Sequence, residues 1–262
     1  MLRNAALWLR PDGWSLLPGA ARRRTLVLAW AAILAQVVFV GGWFVGGALE
    51  PHFSQISQFI SELGREGAAN PGIFTAFMTV WGLGLFALAA AIVPSLRTRP
   101  WPLAMPVCFV LAGVCAILVG QFQMDCSPIL SAVCKSREAA GELSGHHYAH
   151  EWISLGIKVS LLATGFAFAR SAWPSRLGRL VLGGALVLLV AGIVTFFLHN
   201  SFDGYKGLEE RVWALVAVAW ALLCAAVLML EATLEPSMLR AHEVASEGRP
   251  LGDASAARVD PA

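Results

Sequence analysis

Charge is scarce in this chain: 14% of its 262 residues are Asp, Glu, Lys or Arg, where a soluble domain carries about 25%. With 57% of its residues hydrophobic, it cannot present a surface that water would cover, so water is not the main solvent of the fold. A basic stripe and a nucleic-acid recognition motif are both missing, and the net charge is only +2, so no nucleic-acid partner is indicated. The apolar segments lack the period-two alternation of lipid-facing strands, which excludes a membrane barrel. No internal repeat is strong enough to mark an inverted-repeat transporter.

What the chain does have is long runs between charges. A bilayer core of roughly 30 Å needs about 20 consecutive apolar residues in a helix. Six segments qualify, at 25–49, 72–96, 100–124, 152–169, 180–198 and 212–230, and within them Lys158 is the sole charge. The expected fold is therefore all-α, an integral membrane bundle of six transmembrane helices over 25–231. It is preceded by a segment at 1–24 and followed by a tail at 232–262.

Short cytoplasmic loops retain an excess of Lys and Arg. Thirteen arginines fall in the N-terminal segment, the second and fourth connections and the tail, against five Lys and Arg in the other three loops. The expectation is a cell-membrane protein with both termini cytoplasmic and the loops 50–71, 125–151 and 199–211 outside. The first apolar run is too long for the roughly 7–15 residues of a signal-peptide core, so it is expected to stay. Before it, Trp8, Leu9, Trp14 and Leu16 among Arg3, Arg10 and Asp12 read either as an amphipathic interfacial segment or as a disordered tail. The C-terminal stretch, with Pro236, Pro250 and Pro261, reads as solvated and without a core of its own.

Three of the five cysteines, Cys108, Cys115 and Cys224, lie in spans and read as apolar packing. Cys126 and Cys134 share one outer loop, where an oxidising compartment permits a disulfide; the alternative is two free thiols. Gly42 and Gly46 form a G-x-x-x-G pair in the first span, ordinary material for close helix packing. Gln36 and Gln121 read as interhelical hydrogen-bond donors.

Reactive side chains gather at one membrane face. The first loop carries His52, Ser61 and Glu62; Asp125 ends the third span; His146, His147, His150 and Glu151 open the fourth; His199 ends the fifth. On a helix His146 and His150 share a face, as do His147 and Glu151, the spacing from which helical metal sites are made. His146 and His150 with His199 form a candidate zinc site, with Asp125, Ser61 and Glu62 as candidate catalytic residues. The plain alternative is interfacial histidines bonded to loop backbone and headgroups. Lys158 lies about 10 Å deeper than Glu151 on the same helical face. It either snorkels outward or meets a carboxylate in an ion pair or proton relay.

Ile60-Ser61-Glu62-Leu63-Gly64, then Asn70-Pro71-Gly72-Ile73-Phe74, Asp125, the His150 region and Gly207-Leu-Glu-Glu-Arg211-Val-Trp213 together resemble the polytopic membrane family catalogued as domain of unknown function 998. The resemblance implies a six-helix membrane bundle and no established activity. Where that family commonly has Asp in Ile-Ser-Asp-Leu-Gly, this chain has Glu62. A more distant comparison is with the alkaline ceramidase and progestin-receptor-like hydrolases, which place Ser, Asp and H-x-x-x-H at one face but in seven spans. Two functional expectations follow. One is a metal-assisted hydrolase or transferase acting on membrane lipids, with zinc as its possible cofactor. The other is a non-enzymatic small transporter, sensor or assembly factor.

Overall fold

In a computed structural model, which describes residues 19–96, 103–171, 173, 175–198 and 203–233, the chain is helical and without strands among those residues. The N-terminal Trp8 to Leu16 stretch, His199 and the tail from residue 234 lie outside them. The helices are α1 Gly19–Leu49, α2 Pro71–Ile92, α3 Ala104–Gln121, α4 Ala132–Ala139, α5 Gly145–Ser171, α6 Arg176–Leu198 and α7 Lys206–Thr233. Short 3-10 turns occur at Ile60–Gly64, Val93–Leu96 and Asp203–Tyr205.

Five of these helices, α1, α2, α3, α5 and α7, are long and apolar enough to cross a bilayer. The sixth expected span falls on α6, which carries a shorter apolar stretch, Gly178–Val194. Two boundaries differ from the sequence expectation for physical reasons. The third span ends at Gln121, because Phe122 turns to extended backbone at φ −88°, ψ 97°. The fourth begins at Gly145, because the polar turn His146 to Glu151 is helical and caps the apolar run, where hydropathy alone reads it as loop.

The long helices close into a ring: α1 packs along α2, α2 along α3, α3 along α5, α5 along α6, and α7 returns to both α6 and α1. Since lipid tails are as apolar as leucine, such contacts depend on close fit and a few hydrogen bonds. A Cβ placed at Gly82 would lie 2.6 Å from the Gly113 carbonyl oxygen, so α2 and α3 approach backbone to backbone there. Between α1 and α2 the Phe39 and Trp81 rings stack 4.1 Å apart and 9° from parallel. The Trp81 indole N–H donates to Gln36 Oε1 at 2.8 Å, and the Gln36 amide donates to Ala32 O at 3.3 Å. Gln36 thus makes an interhelical bond as acceptor.

Replacing Gln36 by Leu would strand the buried Trp81 N–H, at an expected loss of about 1–2 kcal/mol. This is read as a lowered melting temperature in detergent. Adding Trp81→Phe, which removes the stranded donor, should recover part of that loss.

Candidate functional site

At one end of the ring the loop between α1 and α2 is tied to the loop between α3 and α5 and to the start of α7. Backbone bonds join Leu208 N to Ile56 O at 2.8 Å and Glu66 N to Met124 O at 2.8 Å. The first loop is the centre of this assembly. Its base is pinned by Glu50, which accepts from Arg65 at 2.8 Å and from the Ala69 N–H at 2.7 Å. Its 3-10 turn is held from the last helix, where Glu210 accepts the Ile60 N–H. Arg211 donates to Gln55 Oε1, Gln58 O and Gly207 O, each at 2.7 Å. The Arg211 guanidinium also lies 5.5 Å from the centre of the Phe53 ring, a cation–π geometry. Position 207 must be glycine for this closeness, because a Cβ there would collide with the Gln58 carbonyl.

Glu62 sits under this clamp and is fully buried. Its Oε2 accepts from Gln58 at 3.0 Å and from the Ser127 hydroxyl at 2.8 Å, while its Oε1 has no hydrogen-bond partner. Burial raises its pKa above the ordinary carboxylate value, against the lowering effect of the Gln58 and Ser127 bonds and the charge of Arg65. Glu210 stands in the fields of Lys158, Arg211 and Glu62. Lys158 itself is exposed on the protein surface, with its ammonium 5.9 Å from the centre of the Trp213 ring. Charges of both signs thus surround Glu210, from Lys158 on the flank of α5 to Glu62 in the first loop.

A second polar group lies across the Phe122–Ser127 segment. Asp125 accepts from the Ser144 N–H at 2.7 Å and from its hydroxyl; that hydroxyl in turn accepts the His147 N–H at 3.3 Å and caps the start of α5. Burial pushes the Asp125 carboxyl up, but the two Ser144 bonds and the charges of His147 and Arg137 outweigh it and hold the carboxyl below its ordinary value. His147, fully buried, accepts the Asp125 N–H on Nδ1 at 3.3 Å, and its Nε2 faces Glu151 Oε1 at 3.7 Å. His150 is buried, with Nδ1 against the Phe122 carbonyl at 2.7 Å and Nε2 without a partner. Cys126 and Cys134 form a disulfide with a Cα–Cα distance of 6.0 Å, which ties α4 to the same segment.

The structure thus gathers Glu62 with Ser127, and Asp125 with His147. Ser61 is half-buried on the turn that carries Glu62. His146 is exposed, its ring 5.3 Å from that of Phe122, and His199 lies outside the described residues. Sequence reasoning missed Ser127 and the clamp of Glu210 and Arg211. The last two stood in the Gly207 to Trp213 motif, whose one legible signal was a charged pair at the mouth of an apolar run.

Five helices long and apolar enough to cross a bilayer, packed in one ring, define a polytopic membrane protein. A family model described as "Protein of unknown function (DUF998)" matches residues 33–227. The chain belongs to that family. No curated protein and no solved structure matches it significantly, and the distant likeness to ceramidase-like hydrolases is not borne out.

Arg211→Lys keeps the charge but cannot reproduce a planar fork that serves three acceptors. It should cost about 2 kcal/mol or more and expose residues 51–70 to limited proteolysis, while α1 to α3 stay protected.

Proposed function

We propose that this protein is a non-enzymatic membrane protein, a small proton-responsive transporter or sensor. In this reading the protonation state of Glu62 controls how firmly the first loop closes the end of the bundle. The observation that carries it is Glu62 itself: wholly buried, bonded on one oxygen and unbonded on the other, beneath the Arg211 clamp. A neutral Glu62 suits its burial, whereas an ionised one leaves a charge whose second oxygen is unsolvated. The arginine distribution supports a cell-membrane location with both termini cytoplasmic, so that the clamp faces outward and samples external pH. Membrane lipids are its expected neighbours.

The second reading is a metal-assisted hydrolase or transferase on lipids, with Ser61, Glu62 and Asp125 in catalytic roles and zinc on His146, His150 and His199. It draws on less. Asp125 is engaged by Ser144 and His150 Nδ1 by the Phe122 carbonyl.

The sign of the pH dependence follows from the raised pKa. Between the ordinary value of 4.5 and the higher native value the folded chain holds a proton that the unfolded chain has lost. This contribution to stability is full below the ordinary value and is lost as pH rises through the native one. Glu62→Gln imitates the protonated state, since its carbonyl oxygen can take the Gln58 and Ser127 bonds. In lipid vesicles, the protection of residues 51–70 against hydrogen exchange, taken relative to the intrinsic base-catalysed rate at each pH, should fall with rising pH in the wild type and stay level in Glu62→Gln. Identical pH profiles for the two proteins would overturn the reading.

A further inference from the structure

We propose that Glu138, His147 and Glu151 form a binding site for one divalent transition-metal cation of the zinc class, at the mouth of the bundle between α4 and α5. Their ligand atoms all lie within 4.8 Å of one another. A tetrahedral zinc with bonds near 2 Å needs donors about 3.3 Å apart, which the flexible arms of two glutamates can supply. His147 and Glu151 stand at i and i+4 on α5, and Glu138 comes across from the last turn of α4.

Beyond the acidic pair there is an independent sign of a ligand. His147 is completely buried and its Nε2, which faces Glu151, has no hydrogen-bond partner. A buried imidazole nitrogen left unpaired carries a desolvation penalty, and two carboxylates facing each other repel; a dication between them removes both costs. The donor set of one imidazole and two carboxylates suits zinc or manganese better than calcium or magnesium. Glu151 is exposed, which leaves a route of entry.

The second ring nitrogen sets the terms of binding. Nδ1 accepts the Asp125 N–H at 3.3 Å, so in the metal-free protein the ring proton sits on Nε2. Coordination through Nε2 moves that proton to Nδ1 and gives up the long Asp125 bond, which makes the site weaker than a preformed structural zinc centre. The site shares no ligand with the Glu62 group, and zinc uptake can be tested whatever the outcome of the pH reading above. It uses none of the expected ligands His146, His150 and His199.

The test is zinc titration of the full chain in detergent, stripped with chelator and then freed of it, followed by elemental analysis and thermal melting. The wild type should take up about one zinc per chain in the micromolar range and melt at a higher temperature with zinc than without, as linkage requires. Glu138→Gln and Glu151→Gln should each weaken uptake by roughly tenfold or more and abolish the zinc-induced shift, with metal-free melting no lower than in the wild type because the carboxylate repulsion is relieved. His147→Ala removes a buried ring and can misfold, so the two glutamate variants decide. Absence of zinc uptake by the wild type, or uptake unaltered in both glutamate variants, would overturn the proposal. So would uptake lost in His146→Ala or His150→Ala but kept in the glutamate variants.

Discussion

The fold depends on the closure of the last helix against the first loop. A row of apolar helices in lipid has no hydrophobic reason to choose one neighbour over another, because tails and side chains are alike. Order along the row is given by chain connection, but the return of α7 to α1 is not. Two arginines mark that return at opposite ends of the ring. Arg211 grips Gln55 and Gln58 of the first loop, and Arg22 donates to the Ala232 carbonyl at 2.7 Å. Arg211 sets a fork of donors on backbone and amide oxygen, which fixes register as well as proximity, while Arg22 adds a single bond to a backbone carbonyl.

Closure at the loop end draws charge into a region that cannot solvate it. Arg211 must be buried to reach its acceptors, and Glu210, one residue before it, offsets that charge while accepting the Ile60 N–H. Glu62 then lies inside the same enclosure with nothing to bond its second oxygen. A clamp made of ions therefore creates, as a by-product, a group whose ionisation works against it. This is the physical link between architecture and the proposed proton response: the groups that hold the loop shut are those whose balance a proton changes.

The membrane class and most of the spans were legible in the sequence because hydropathy over about 20 residues is an averaged quantity, insensitive to detail. The site was legible only in part, because it depends on register. Hydropathy placed the start of the fourth span at Trp152, whereas α5 begins at Gly145, so the polar turn before Glu151 belongs to the helix. Within that turn His147 points inward while His146 faces out, a distinction that i, i+4 spacing alone cannot make. Glu138 gave no signal at all, being one glutamate in a polar loop until α4 and the disulfide bring it across. Gln36 was readable as an interhelical partner, but its bonding role depended on Trp81 of the neighbouring helix, which spacing does not reveal.

Three consecutive residues connect the two charged groups. Asp125 lends its N–H to His147 and its carboxylate to Ser144, Cys126 carries the tie to α4, and Ser127 donates to Glu62. A cation on His147 takes the proton-accepting nitrogen away from the Asp125 N–H, and the peptide freed by that change is two residues from the hydroxyl that steadies Glu62. The Asp125 peptide and the Ser127 hydroxyl are two residues apart on one strip tied at both ends, so a shift of the first is expected to reach the second. The disulfide keeps it from relaxing sideways. Metal and proton would then act on the same strip of backbone, and their effects on the first loop would not be additive, as is expected of sites that share partners.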